Sequence, residues 1–360
     1  MDPLKEMFNR AYYAKLADAV SSVYKPFPVK VFLTEVCTPL ASLSLNERMR
    51  HTSVVLQKYL PAHYQKSIGI LNEVIPLMPG GYTNLVFPDY VSQFGRDDFK
   101  TSLKALHYYT RFGSSEFAIR TFLKMDFYRT MQEMYRWSED ENEHVRRLSS
   151  EGSRPRLPWS FKLDEVIKNP SHTKPILENL KQDESLYVRK SVANHINDFS
   201  KDSPDFVVKL VKSWDTAHPH TAWIVKRGCR SLFKQGDKKS LAAFNYTKDV
   251  QVYIKNFSIT PKTVTIGSAL SFDFEIISHK KSSQKLMVDY RIHYVKKNGS
   301  LSPKVFKLKE VDLPAGKTIH ISKKQRFQDF TTRKHAAGKH TLEILVNGEV
   351  VQSVVFLVRS

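Results

Sequence analysis

The chain has 360 residues, of which 41% are hydrophobic and 26% are charged, a composition typical of folded domains and not of a disordered chain. The 56 lysine and arginine residues exceed the 36 acidic residues and leave a formal net charge of +20, which favours a polyanion as partner. Two cysteines cannot form a disulfide framework or a four-cysteine zinc site, and no apolar run is long enough to cross a bilayer. We therefore expect a cytoplasmic protein of two domains, without a membrane segment, a bound metal or a cofactor.

From the N-terminus to about residue 248, hydrophobic residues recur at helical spacing, and short segments rich in proline, glycine, serine and aspartate separate the helices. In the predicted helix at 187–199, the hydrophobic stripe consists of Val188, Val192, His195 and Phe199. An apolar residue followed by a basic one recurs at 119–120, 145–146, 188–189 and 225–226. Two of the three intervals lie near the period of HEAT and armadillo repeats, so the pattern predicts a HEAT-like helical-repeat solenoid at 1–248.

From about Val250 the period of the hydrophobic pattern changes to two, which indicates strands that are buried on one face. The dipeptides Asn298-Gly299 and Asn347-Gly348 predict tight hairpin turns between such strands. Some seven strands fit into residues 249–360, which predicts an all-β immunoglobulin-like sandwich without its disulfide. Residues 251–360 hold 19 basic and 8 acidic residues, so this domain carries more than half of the excess positive charge.

Two carboxylates occupy positions that are unfavourable in a helix. Glu151 comes directly before Gly152, where a helix is expected to end, and Asp198 is expected to end the helix that begins near Tyr187. A negative charge at a helix C-terminus opposes the helix dipole, and such a placement suits a site that stabilises a developing positive charge. A local ion pair with Arg154 or Lys201 explains each carboxylate equally well. Both interpretations remain open from the residues alone.

Several other side chains are candidates for the same site. Glu116 opens a predicted helix, where the helix dipole alone favours an acid, and Glu143 is explained by an ion pair with Arg147 four residues later. Trp159 lies in a proline-rich loop among cations, where its indole can stack on a sugar or a base or pack between repeats. The candidate phosphate ligands are Arg146, Arg147, Arg154, Arg156, Arg189, Lys190, Lys226, Arg227 and Arg230.

Three segments carry a resemblance to a known family: SSEFAIR (114–120), NEHVRRLSSEGSRPRLPW (142–159) and YVRKSVANHINDFSK (187–201). They are similar to the AlkC branch of the HEAT-like DNA alkylation repair glycosylases related to AlkD, whose members append an immunoglobulin-like domain. The resemblance implies a monofunctional DNA glycosylase of base excision repair. It also implies that cationic methylated bases, chiefly 3-methyladenine, are removed from duplex DNA without being swung into a pocket.

The same resemblance implies roles for individual residues. The family's catalytic and sugar-contacting positions fall on Glu116, Glu151, Asp198 and Trp159. Glu151 is expected to stabilise positive charge on the deoxyribose and to orient or deprotonate water, while the other two carboxylates shape the electrostatics and the water position. Trp159 is expected to pack against the sugar. The arginines expected nearest the lesion are Arg147 and Arg154.

The expected partner is duplex DNA containing alkylated bases, bound by a monomeric protein that needs no protein partner and associates with the nucleoid. In the sandwich, the segments 296–299 and 333–339 are candidate DNA-contacting loops. The main alternative is a HEAT-repeat DNA-binding or scaffold protein without catalysis, and a further one is a solenoid that binds acidic proteins. The residues do not decide whether 3-methylcytosine, 1-methyladenine or 7-methylguanine are also substrates.

Overall fold

The computed structural model describes residues 3–235, 241, 244, 246–247, 249–330 and 334–360. The chain divides into two compact units, the first formed by Met1–Phe206 and Trp214–Gly228, the second by Val207–Ser213 and Cys229–Ser360. A helical region followed by a β-sandwich is therefore confirmed. The predicted boundary between residues 248 and 249 lies at Lys248, outside the described residues, and stays a prediction.

The helical region contains fifteen α-helices within the described residues, which we number in chain order. They are α1 (Arg10–Val23), α2 (Val29–Cys37), α3 (Leu45–Tyr59), α4 (Tyr64–Val74), α5 (Val86–Phe94), α6 (Phe99–Tyr109), α7 (Ala118–Met125), α8 (Phe127–Trp137), α9 (Glu143–Gly152), α10 (Asp164–Lys168), α11 (Lys174–Leu180), α12 (Leu186–Asp202), α13 (Pro204–Lys212), α14 (Pro219–Gly228) and α15 (Arg230–Gln235). Short 3-10 helices span Leu4–Met7, Ile75–Leu77, Tyr82–Leu85 and Pro170–Thr173. No described helix is both long enough and apolar enough to span a membrane.

In the first unit, successive helices pack on each other, and α9, α12 and α14 form one row in which each helix contacts the next. Asn142 and Ser185 cap α9 and α12 by accepting hydrogen bonds from backbone N–H groups of the first turn. The predicted stripe on α12 is buried along its whole length. This arrangement is the one that a helical-repeat solenoid requires, since each helix pair buries its apolar face on its neighbours.

The second unit contains eight described strands in two sheets. They are β1 (Val252–Thr260), β2 (Thr263–Thr265), β3 (Ala269–Ser278), β4 (Gln284–Val295), β5 (Leu301–Leu313), β6 (Thr318–Arg326), β7 (Gly338–Val346) and β8 (Glu349–Arg359). One sheet has the order β1-β3-β6 and the other β2-β8-β7-β4-β5. Phe272, Phe274 and Tyr290 lie in the core between the sheets, as the alternating pattern predicts. Asn347 and Gly348 both have positive φ and form the predicted two-residue turn between β7 and β8.

Candidate active site

Three elements of the first unit bring the three predicted carboxylates together. Glu116 lies directly before α7, Glu151 is the penultimate residue of α9, and Asp198 lies in α12. Arg147 forms an ion pair with Glu116 and places its Nη2 atom 3.6 Å from Oε1 of Glu151. Arg154 donates from Nη1 to Oε1 of Glu151 at 2.6 Å and from Nε to Oδ2 of Asp198 at 2.8 Å. The five side chains form a continuous chain of alternating charge.

This chain of charges is largely removed from water. Glu151 and Arg154 are each only 6% exposed. Burial is the largest influence on the Asp198 carboxyl and raises its pKa, and the charge of Glu151 adds to this, so the pKa stays above its ordinary value despite the contact with Arg154. Burial lowers the pKa of Arg154, but its bonds to both carboxylates outweigh that effect and raise it overall. Asp198 is therefore a carboxylate whose charged form is held by one guanidinium against the effect of burial.

The helix positions of the two carboxylates differ from each other. Glu151 lies at the end of α9, as predicted, and its charge opposes the helix dipole there. The expectation that Asp198 ends its helix is wrong, because α12 continues to Asp202 and stops only before Pro204. The sequence left a local ion pair open as an explanation of both carboxylates. Such a pair is present in each case, because Arg154 pairs with Glu151 and with Asp198.

The ion pair expected along α9 is replaced by other contacts because of the packing of the helices. Glu143 accepts a hydrogen bond from the hydroxyl of Ser185, so the expected ion pair between Glu143 and Arg147 is not the one that forms. Arg147 points instead to Glu116 and Glu151, and its guanidinium lies 5.0 Å from the ring of Tyr187. Burial lowers the pKa of Arg147, but the two carboxylates raise it above its ordinary value. The arginine is thus a fixed member of the site.

Trp159 forms a wall of the cleft that is lined by three of these five charged side chains. The cleft has a volume of about 420 Å³ and is lined by Glu116, Arg147, Glu151, Trp159 and Tyr187 among others. The indole of Trp159 is 74% exposed, and the backbone φ is +64°, a left-handed conformation that costs a residue other than glycine about 1–3 kcal/mol. A large aromatic side chain held exposed in a strained conformation is typical of a ligand-contacting position.

Arg120 is a buried arginine next to these groups. It lies on α7, is fully buried, and donates hydrogen bonds to the carbonyl oxygens of Gly152, Arg154 and Phe161. Burial, and after it the charge of Arg154, lowers its pKa to about 10. At neutral pH the guanidinium is still positively charged.

Comparison of the chain with known proteins identifies its family. A family model described as the C-terminal Ig-like domain of the uncharacterised protein YhaZ matches residues 253–360. The uncharacterized protein YhaZ of Bacillus subtilis strain 168 is 42% identical over 359 residues, which cover 99% of this chain and 100% of that protein. The solved structure of Pseudomonas fluorescens alkylpurine DNA glycosylase AlkC, bound to DNA containing an abasic site analog, is 46% identical, covers both chains completely and has a TM-score of 0.96. The chain belongs to the AlkC family. The family resemblance and the Ig-like sandwich predicted from the sequence are confirmed.

Of the seven other predicted phosphate ligands of this AlkC-family chain, three are arginines that make ion pairs or hydrogen bonds with neighbouring residues. Arg146 pairs with Asp183 at 2.6 Å, and Arg156 pairs with Asp202 at 2.7 Å. Arg189 donates to the carbonyl oxygens of residues 183 and 184. The remaining four are Lys190, Lys226 and Arg227, which are exposed, and Arg230, which is half-buried and belongs to the second unit. Only Arg147 and Arg154 of the nine contact the three carboxylates.

Three further residues belong to this arrangement and could not be assigned to it from the sequence. Tyr187 and Ser114 line the cleft, and Ser114 donates a hydrogen bond to Glu116 and accepts one from Arg147. Arg120 belongs to the recurring apolar-basic pairs, but its side chain is buried. Its burial was signalled only by the hydrophobic residues around it in the short helix α7.

Proposed function

We propose that this AlkC-family protein is a monofunctional alkylpurine DNA glycosylase that acts in base excision repair of alkylation damage. Its chief substrate is 3-methyladenine in duplex DNA, and the damaged base is excised without being swung into a pocket. The observation that carries the proposal is that two largely buried arginines connect Glu116, Glu151 and Asp198 beside a cleft walled by Trp159. The full-length similarity to an alkylpurine DNA glycosylase bound to DNA supports it.

The chemistry of a cationic base determines what such a site must supply. Methylation at N3 places a positive charge on adenine, so the electron pair of the breaking glycosidic bond neutralises the leaving base, and no general acid is needed. Positive charge develops instead on the deoxyribose, as in other glycoside hydrolyses. Two of the three carboxylates, those of Glu116 and Glu151, line the cleft and place negative charge where it faces that sugar. In a partly dehydrated cleft this charge stabilises the transition state more strongly than it does in water.

The individual groups take distinct roles in this reaction. Glu151 lies between both arginines and is the residue that faces the oxocarbenium-like sugar and orients the attacking water, whose oxygen bonds to C1′ while its proton passes by way of a carboxylate to solvent. Asp198 and Glu116 set the field and the water position, and Trp159 packs against the sugar. Arg147 and Arg154 offset the repulsion between the carboxylates and the phosphate backbone. The products are a neutral base and an abasic site.

The wider assignment follows from the same proposal. Duplex DNA is the partner, and a monomer without an obligate protein partner suffices, because every group named above comes from one chain. The basic Ig-like domain at 249–360 contributes DNA-binding surface. The protein works in the cytoplasm, associated with the nucleoid when it is bound to DNA.

The test is release of bases from duplex DNA treated with a methylating agent, followed by chromatography of the freed bases. We expect the wild-type protein to release 3-methyladenine and to leave the strand uncut until alkali is added. Glu151→Gln keeps the shape of the side chain and is expected to lower the rate by about 100-fold or more. Glu143→Gln is the matched control. Glu143 begins the same helix and is exposed, and its carboxylate accepts a hydrogen bond from Ser185, the residue that caps α12. Tight duplex binding by the wild type without any release would favour the non-catalytic DNA-binding scaffold.

A further inference from the structure

The segment from Gly152 to Phe161 leaves α9 and carries two residues of the proposed site, Arg154 and Trp159. Arg120 holds this segment at both ends. Its Nη1 atom donates to the carbonyl oxygens of Gly152 at 3.0 Å and Arg154 at 2.7 Å, and its Nη2 atom donates to the carbonyl oxygen of Phe161. The guanidinium also lies 5.2 Å from the ring centre of Phe161. A single side chain on α7 therefore fixes the beginning and the end of the segment.

The segment needs such an anchor because its own conformational preferences oppose the observed path. Trp159 has a φ of +64°, in a region that residues with a side chain rarely adopt. The backbone bonds of the segment run from Arg154 N–H to the Glu151 carbonyl, from Ser160 N–H to the Leu157 carbonyl and from Leu163 N–H to the Pro155 carbonyl, and none of them is made by Trp159 itself. The carbonyls that Arg120 binds lie on both sides of Trp159, so they restrain the strained residue from both directions.

A buried cation is an unusual way to hold carbonyl groups. Arg120 has no exposed surface, and its hydrogen-bond acceptors are neutral carbonyl oxygens. Removing a charge from water is unfavourable, and hydrophobic residues often replace buried charges without loss of stability. The compensating charges near Arg120 are those of Asp198, Glu116 and Glu151. The carboxylates of the proposed site therefore compensate the charge of Arg120, and we relate this charge to the site rather than to the stability of α7.

We propose that Arg120 is a positioning residue of the glycosylase reaction, which fixes the Arg154 side chain between its two carboxylates and the Trp159 indole at the wall of the cleft. The inference rests on the proposed function and deepens it. Arg120 has no exposed surface and lines no part of the cleft, so it acts only through the segment that it holds. Lysine cannot replace it, because one ammonium group cannot span carbonyls that a planar fork of donors binds together.

The experiment compares Arg120→Lys with Arg48→Lys as a matched control. Arg48 on α3 is also buried and donates to three carbonyl oxygens, those of Lys5, Phe8 and Leu40. It does not line the cleft, and these acceptors lie outside the segment from Gly152 to Phe161. We expect Arg120→Lys to lower the single-turnover rate of base release at saturating DNA by about 10–100-fold. We expect its affinity for undamaged duplex to change by less than about threefold. Arg48→Lys is expected to lower the melting temperature and to keep the rate.

A double-mutant cycle with Trp159→Ala separates positioning from general loss of structure. If Arg120 acts through the segment, the double variant should be little slower than the slower single variant, because the second change finds the arrangement already lost. The inference would be overturned if the rate losses of the two single variants multiplied in the double variant. It would also be overturned if Arg120→Lys were as fast as the wild type.

A readout that does not depend on catalysis keeps the inference separate from the proposed function. Acrylamide quenching of the Trp159 fluorescence, taken as the difference between the wild type and Trp159→Phe, reports the restraint of the indole. We expect this signal to be quenched more strongly in Arg120→Lys and to be unchanged in Arg48→Lys. A wild type that releases no base would refute the proposed function alone. Unchanged quenching in Arg120→Lys would refute the positioning role in either case.

Discussion

Asp198 and Asp202 lie about one turn apart on α12, and each contacts an arginine, yet their carboxyl groups have opposite pKa shifts. Burial dominates at Asp198 and raises its pKa, because the contact with Arg154 does not fully compensate for the loss of water. At Asp202 the hydrogen bond from Arg156 dominates and lowers the pKa. The same residue type on one helix is thus buried beside the proposed site at one position and forms an ordinary ion pair at the other.

These shifts predict different pH profiles for two variants. If the reaction needs ionised Asp198, the wild-type rate should fall on the acid side at a pH above the ordinary aspartate pKa. Asp198→Asn is expected to be slower and to lose this acid limb, whereas Asp202→Asn is expected to keep both the limb and most of the rate. Single-turnover rates between pH 4 and 8 provide the measurement. A limb that persists in Asp198→Asn would assign it to another carboxylate of the site.

The stability of the two variants should depend on pH with opposite sign. The folded-state pKa of Asp198 is raised, so its contribution to stability is present below the unfolded pKa and is lost as the pH rises through the folded value. The folded-state pKa of Asp202 is lowered, so its contribution is present above the unfolded pKa and is lost on acidification. Replacing Asp202 should therefore lower the melting temperature most at neutral pH.

The sequence is informative about which residues form the site and less about how they interact. The three carboxylates and Trp159 lie in segments that the family resemblance identifies, so a common site could be expected. The partners of Arg147 could not, because a local rule for helices pairs it with Glu143, whereas the packing of α7 against α9 brings Glu116 closer. Contacts between elements depend on their packing, which residue spacing does not encode.

At the scale of the helices, Gly152 sets how closely α9 approaches its neighbours. A Cβ atom at this position would lie 2.6 Å from Cγ2 of Ile119 on α7 and 3.1 Å from Cε of Met134 on α8. The Ile119 side chain is stiff and buried, so the helices themselves would have to move apart. Because Glu151 precedes this glycine, any such movement also displaces the central carboxylate.

Gly152→Ala is therefore expected to lower the free energy of unfolding by about 1–3 kcal/mol and to slow base release. The control is Gly69→Ala in the middle of α4, where nothing lies within 4 Å of the added methyl group. That change should raise the free energy of unfolding by about 0.5–1 kcal/mol, because alanine favours the helix, and should leave the rate unchanged. Denaturant titration and single-turnover kinetics of both variants check this. Equal effects of the two substitutions would show that close packing at Gly152 is unimportant.

Among the strands, alternation identified those whose pattern is regular and missed the short one. Residues of β3 alternate in burial over ten residues, and those of β4 alternate from Tyr290 onward but are buried on both faces at 286–290. β2 has only three residues and pairs in parallel with β8, almost 100 residues later in the chain. A strand this short has no period of its own, and its pairing depends on the closure of the whole sandwich.

At the scale of the whole molecule, the two units do not coincide with the change from helices to strands. Val207–Ser213 and the residues from Cys229 onward group with the sandwich, although α13 and α15 are helical. A chain cut near residue 248 would keep these helices and lose the unit with which they group. The contribution of the basic second unit to DNA binding is therefore better tested by surface substitutions in the intact chain.

Two lysine pairs at opposite ends of β4 offer such a test. Lys296 and Lys297 lie in the exposed turn after β4, one of the two predicted DNA-contacting loops, and Lys280 and Lys281 lie before it. The strand has twelve residues and is therefore about 40 Å long, so the two pairs sample well-separated surfaces with the same change of charge. The second predicted loop spans 333–339, and its first residue, Arg333, lies outside the described residues.

Neutralising Lys296 and Lys297 together is expected to weaken duplex binding and to reduce the slope of log affinity against log salt by up to about 2, because each phosphate contact releases counterions and contributes about 0.9 to the slope. Neutralising Lys280 and Lys281 removes the same net charge and should leave the slope nearly unchanged. Titrations of duplex DNA between 50 and 300 mM salt measure both slopes at once. An equal reduction in both variants would mean that the net charge of +20 acts as a diffuse field, and an effect confined to Lys280 and Lys281 would place the contact at the other end of the sandwich.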